Sequence, residues 1–320
     1  MSTKNGIEEQ NVPTLSSSSQ SNGARYQIPL ISNLATIDYF RHAGAMLDLP
    51  VRTTATAIVF YNRFQIFMAS HIGRASPRNG HFVNESMPLY TNEKLLATTC
   101  MLLACKTTDV PRKVRDVVNV SYRYYHPDGP LLKVDETYFR MRSSLVTGEL
   151  FLVRALGYDL EVSLPFTYCL HVLRAMAAVN WLKAPSEEQP PRYRSRQNSS
   201  GSGSGTANIQ KDVWRRMEQE MVPGLSTIAR IAWMYCWDSI ASPKIYHKHS
   251  TAALALGCLY LAIKTCQVDL PMPMHEWVDM WGASDNISLQ SVRDVVGDLL
   301  DLYNRVTPPS SSSQSQLKQQ

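Results

Sequence analysis

From residue 95 to residue 105 the chain reads LLATTCMLLAC, eleven positions without a charge, and then Lys106 appears. Leu, Ala, Met and Cys favour or tolerate helix and the run holds no Gly or Pro, so it predicts an α-helix that is apolar on every face. Eleven residues rise only about 17 Å as a helix, well short of the ~20 residues that a bilayer requires. The run therefore reads as the buried centre of an all-helical domain. A second such run fills 250–266, STAALALGCLYLAIKTC, uncharged until Lys264. At an offset of 158 residues, Ala97, Cys100, Leu103, Ala104, Lys106 and Thr107 fall on Ala255, Cys258, Leu261, Ala262, Lys264 and Thr265. Two apolar helices, each closed by one Lys, point to a duplicated helical module.

Around these centres the pattern is amphipathic. Ile37, Phe40, Gly44 and Leu47 step at i, i+3, i+7 and i+10 along a first helix, with Thr36 as its N-cap, Asp38 in its first turn and an end near Pro50. Residues 51–67 form a second helix with Ala55, Ile58, Val59, Ile66 and Phe67 inward, and 71–91, with two Gly and two Pro, read as a loop. A fourth helix over 112–125 starts behind Pro111 and turns Val114, Val117, Val118 and Ser121 inward, with Arg112, Lys113, Arg115 and Asp116 outside. A fifth, over 135–156, is closed by Gly157; Tyr138, Met141 or Arg142, Leu145, Leu152 and Leu156 mark its inward stripe, and Glu149 lies on or beside it. The second module repeats the scheme: helices over 164–182, within 214–239, from Ser250, around 275–280 and over 289–303. No alternating strand pattern survives anywhere, so the chain is all-α.

Composition refines this picture in a few places. A length of 320 residues suits two modules of about 130 residues each. The expected division is a disordered Ser-, Asn- and Gln-rich tail over 1–24, a first module over 25–160, a second over 161–305 and a disordered tail over 306–320. Within the second module, 184–209 carries Pro190, Pro191, three Arg and SSGSGSG, and reads as a flexible insertion. An apolar fraction of 44% supports ordinary packed cores, and a net charge of +5 is too mild to argue for nucleic acid by itself. Four of the six Cys lie inside the two apolar helices and none forms C-x-x-C, which makes them reduced core residues rather than ligands. His247 and His249 precede a helix and read as solvated or capping. No zinc site, other metal site or cofactor signature is visible, and no apolar leader or membrane-length span, so the chain is expected inside the cell with no membrane partner.

Two residues carry candidate chemistry. Lys106 closing an uncharged helix reads first as a side chain whose ammonium snorkels to water. Glu149, between Leu145 and Val146 on one side and Leu152 and Val153 on the other, is costly unless a cation or N–H donors meet it. A pair between the two would satisfy both and leave donors and acceptors at a rim for a partner.

Two five-helix repeats, each built round an apolar third helix ending in Lys, resemble the cyclin fold. Residues 41–50, RHAGAMLDLP, resemble the first-helix pattern of transcriptional cyclins, and Leu102-Leu103-Ala104-Cys105-Lys106 their third-helix L-A-x-K. Residues 114–120, VRDVVNV, resemble the V-R-D-I-I-N-V of cyclins K, L and Q, and 119–129, NVSYRYYHPDG, is nearest the cyclin Q group. Residues 149–159, ELFLVRALGYD, match the fifth-helix pattern of a Glu followed by apolar residues. The resemblance implies an all-α protein of two tandem five-helix cyclin-fold repeats. It also implies a regulatory subunit that activates a cyclin-dependent protein kinase, the type that pairs with cyclin Q being favoured, in control of transcription or the cell cycle. Lys106 and Glu149 would then be kinase-binding, since in cyclins this Lys and Glu meet backbone around the kinase C-helix. The nucleus is the implied compartment, with the cytoplasm second.

No catalytic role is expected for this chain: it has no Gly-rich phosphate loop, no H-R-D and no D-F-G. The apolar first-helix docking motif of cell-cycle cyclins, M-R-A-I-L, is not matched by residues 40–47. The alternative is a general transcription factor with cyclin-fold repeats that binds DNA and promoter machinery. Such factors carry a zinc ribbon ahead of the repeats, whereas the first Cys here is Cys100, and the patch of Arg112, Lys113 and Arg115 is small. Nucleic acid is accordingly disfavoured.

Overall fold

A computed structural model describes residues 32–72, 92–178 and 223–306, apart from 269 and 271. Among them the regular structure is entirely helical. The first five helices are α1 (Leu34–Met46), α2 (Val51–Ile72), α3 (Glu93–Thr107), α4 (Val114–Tyr125) and α5 (Glu136–Ala155). The rest are α6 (Pro165–Ala178), α7 (Pro223–Ala241), a short α8 (Pro243–Lys248), α9 (Thr251–Thr265), α10 (Met274–Gly282), a 3-10 turn (Ala283–Asp285) and α11 (Leu289–Val306).

The uncharged runs are the two centres. Every residue of α3 from Leu96 to Cys105 is buried, and α1, α2, α4 and α5 pack round it. α9 holds the same place in the second repeat, with α6, α7, α10 and α11 around it. The 158-residue offset maps α3 onto α9 end to end, and the correspondence extends into the turn that stops each helix. Asp109 (φ 58°) and Gln267 (φ 55°) both adopt the left-handed conformation, and the N–H groups of Val110 and Val268 reach back to the carbonyls of Cys105 and Ile263. Both are Schellman closures formed without glycine, each tolerating the roughly 1–2 kcal/mol of a left-handed Cβ. Duplication is thus visible in the backbone as well as in the side chains.

Several local expectations are corrected. The N-cap of α1 is Asn33, whose side chain accepts from the N–H of Ala35; Thr36 is buried and donates to Glu93. α1 ends at Met46, and α2 runs on to Ile72 beyond the expected residue 67. α4 begins at Val114, so Arg112 is outside it. His247 does not precede a helix but lies on α8, which was not foreseen. His249 occupies the C-cap position of α8 but is not solvated: its side chain is 6% exposed and its Nε2 lies 2.7 Å from Asp298. Asp135 and Gly157 close α5 as expected, and Gly157 has φ 63°. Of the loop expected over 71–91, residues 71 and 72 belong instead to α2; 73–91, the insertion at 184–209, residues 214–222 and the tails over 1–24 and 307–320 lie outside the described residues.

The two repeats meet along α2, which packs on α7 and α8. Asn62, fully buried on α2, donates to the Ile240 carbonyl at 3.0 Å and accepts from Ser32 Oγ. Ser32 N–H in turn donates to the Ala241 carbonyl.

Candidate functional site

The last turn of α3 is fixed from both sides. Its core positions up to Cys105 are buried, and the Schellman turn ties Asp109 N–H to the Lys106 carbonyl. Lys106 is the first residue past the buried stretch and its side chain is half exposed. α5 crosses α3 with Leu145, Gly148 and Leu152 turned inward, which leaves Glu149 at the margin of the contact. Lys106 Nζ lies 2.6 Å and 2.7 Å from the two carboxylate oxygens of Glu149. The carboxylate is only 16% exposed, so the ammonium supplies the cation that its apolar neighbourhood demands. The two sequence-predicted site residues, 43 positions apart, are thus brought into direct contact.

The arrangement is not duplicated. Lys264 occupies the equivalent place on α9, but no carboxylate pairs with it among the described residues. The second repeat instead holds Asp298 of α11 between Lys248 Nζ (2.6 Å) and His249. Burial pushes the Asp298 carboxyl up, but the hydrogen bonds and charges of Lys248 and His249 more than reverse this, leaving it below the ordinary carboxylate range.

Around the first-repeat pair lies an apolar surface that the sequence reading missed. Phe139, Val146 and Leu150 are each at least half exposed, and their spacing of seven and four places them on one outer stripe of α5. Leu131 and Val134 in the connection before α5 are more exposed still. The signal was present in the sequence as a second set of apolar residues out of phase with Tyr138, Leu145 and Leu152. The inward stripe alone accounts for the packing of α5, so the outer one is surplus to the fold.

The basic patch is smaller than it looked. Arg112 donates through Nε and Nη2 to the carbonyls of Leu47 and Asp48, at 3.0 and 2.9 Å, and so satisfies the C-terminal end of α1. Its role is structural, leaving Lys113 and Arg115 as the exposed cations there. Burial pushes the Cys105 thiol up to about 11 and the Cys100 thiol well above its ordinary value, so both stay protonated core groups. Among the described residues no cluster of His, Cys, Asp and Glu could hold a metal ion, and no helix is long and apolar enough to cross a membrane.

Residues 32–161 match the family model described as "Cyclin, N-terminal domain". The chain is 24% identical over 279 residues to cyclin-T1-3 of Oryza sativa subsp. japonica, covering 85% of this chain and 43% of that protein. It is 22% identical over 276 residues to cyclin-L1 of Xenopus laevis, covering 85% of this chain and 42% of that one. The chain therefore spans less than half the length of these relatives. Among solved structures it resembles a chain of the yeast RNA polymerase II CTD kinase complex CTDK-1, with a TM-score of 0.53 and 15% identity over 84% of this chain and 64% of that one. The fold is that of tandem cyclin repeats.

Proposed function

We propose that this chain, whose first repeat carries a cyclin N-terminal domain, is the regulatory subunit that activates a cyclin-dependent protein kinase. The observation that carries the reading is the Lys106–Glu149 pair, set beside the exposed apolar stripe of α5. A kinase becomes active when the Glu of its C-helix pairs with its strand Lys, which requires that helix to swing inward. A rigid surface that binds only the inward position shifts the population toward the active state by its differential affinity. The apolar stripe supplies the buried area for such a contact, and the ion pair supplies a polar centre with remaining donors and acceptors at its edge. Lys264 has no paired carboxylate among the described residues, which favours one kinase site, on the first repeat.

Relatives named cyclin T and cyclin L, and likeness to a chain of a polymerase CTD kinase complex, support a role in transcription and a nuclear location. Within that group the stretch 119–129 favours the kinase type that pairs with cyclin Q. The division into modules over 25–160 and 161–305 belongs to the same proposal.

The test is co-expression of the tagged chain with a panel of cyclin-dependent kinase catalytic subunits, followed by recovery in salt that strips DNA. One kinase should be retained and activated, and Leu150→Arg should abolish both. Recovery of no kinase, or full activation by Leu150→Arg, overturns the reading.

A further inference from the structure

A groove of about 300 Å³ opens between the first turns of α3, the end of α4 and the first half of α5. Leu95 on α3 and Lys106 are eleven residues apart, so the groove sits roughly 16 Å from the kinase-binding pair along α3. It is a different surface, and its occupancy does not depend on the kinase reading. We propose that it docks an extended acidic peptide of a partner protein, one bulky apolar side chain entering the groove and carboxylates flanking it.

The floor supports the apolar half of this proposal. Val118 and Leu145 are buried beneath it, while Leu95 and Met141 are only half buried and face it from α3 and α5. The volume suits one Leu, Met or Phe side chain with its backbone, near the lower limit of recognised ligand sites.

The rim supports the acidic half. Lys94, His126 and Arg140 line it, one from each of the three walls, and no Asp or Glu lines it. Two of these side chains, the Lys94 ammonium and the His126 ring, are held on tyrosine faces. Lys94 Nζ lies 4.9 Å over the Tyr125 ring, and the His126 ring stacks on Tyr122 at 4.5 Å. His126 is further fixed by Nδ1, 3.1 Å from the Tyr122 carbonyl. Such placement ahead of binding lowers the ordering cost of a charged contact. The neighbouring carboxylates do not neutralise the rim: Glu93 is turned away to accept from Asn33, Thr36 and Tyr61. Glu136 meets Arg140 at 3.1 Å on the solvent side, in a pair whose members are 89% and 73% exposed and which is readily exchanged. A nucleic-acid strand fits less well, since it needs a basic track with successive stacking platforms, whereas this is a single apolar slot.

The test uses the full chain and fluorescence anisotropy with a labelled twelve-residue peptide containing Leu-Phe flanked on both sides by Asp and Glu. Saturable binding is expected, weakening with added salt. Replacing Leu-Phe by Ala-Ala, or the acids by Asn, should each cut affinity about tenfold or more. Lys94→Glu with Arg140→Glu should do the same, and Ser144→Tyr, which fills the slot from α5 and leaves the cations in place, guards against a charge effect or a folding defect in the double variant. Each variant is first checked by thermal melting. Equal binding of poly-glutamate or of a single-stranded oligonucleotide, or unchanged binding in both groove variants, overturns the proposal.

Discussion

The Lys106–Glu149 contact separates two roles that a charged residue at a helix margin can play. Lys106 is half exposed, so its Coulomb gain within the free chain is screened, and Lys106→Ala should cost at most about 1 kcal/mol of stability. At the proposed kinase interface the same truncation would leave Glu149 desolvated without its cation, which typically costs ~2–5 kcal/mol, or more than about thirtyfold in affinity. Glu149→Lys should be worst, setting two cations against one site, and the double Ala variant should be less than additive. Melting of the free chain beside activation of the complex decides this: variants that melt far below wild type would make the pair a core support, and unchanged activation would remove it from the interface. Asp298 allows a pH test of the same kind in the second repeat. Its carboxyl is held below the ordinary value, so its contribution is complete above the unfolded pKa of about 4 and is lost as pH falls through the folded value. Asp298→Asn should therefore lower the melting temperature at neutral pH and flatten its fall below about pH 4; an unchanged acid limb would count against the triad. Lys106 and Glu149 were legible because each is a lone charge in an apolar context. Arg112, Thr36 and His249 were not, because what settles each lies across the fold: the Leu47 carbonyl, Glu93 and Asp298.

At the scale of the element, α3 and α9 show how far patterning reaches. A run with no polar face has to be surrounded, and that alone placed both helices at the centres of their repeats. Helix ends were less legible: residues near 46–50 and 112–114 could belong to a helix or its cap, and tertiary hydrogen bonds decide between them. α8 is too short for its six residues to show a period, and the outer stripe of α5 was overlooked because the inward stripe already explained that helix. Close approach between elements depends on single glycines. At Gly257 of α9 an added Cβ would land on Val295 Cγ1 and lie 2.8 Å from Val295 Cβ. At Gly297 of α11 it would meet nothing within 4 Å. Gly257→Ala should accordingly destabilise by about 1–3 kcal/mol through overpacking. Gly297→Ala should stabilise by roughly 0.5–1 kcal/mol through helix propensity. Chemical denaturation of the two variants should move the midpoint in opposite directions, and a shared direction would mean that Gly257 does not set the approach of α9 to α11.

For the whole molecule, the join between repeats is made of groups that neither repeat needs for its own core. Asn62 is the clearest case: it lies on α2 of the first repeat, yet its amide serves the end of α7 in the second, and Ser32 bonds both to it and to Ala241. No local pattern marks such a residue, since a single Asn in an apolar helix predicts only that some partner must exist. If the repeats fold as one cooperative unit through this seam, Asn62→Ala leaves the Ile240 carbonyl and Ser32 hydroxyl unsatisfied and should cost about 1–3 kcal/mol. The melting transition should then shift down as a single step, by a few degrees for a chain of this size. Asn62→Ala should also leave kinase affinity nearly unchanged when measured well below the melting temperature, because the seam and the Lys106–Glu149 face lie on different helices. Two resolved transitions in the wild-type chain would mean that the repeats are thermodynamically separate, and a large loss of kinase binding in Asn62→Ala would mean that the second repeat positions the first for its partner.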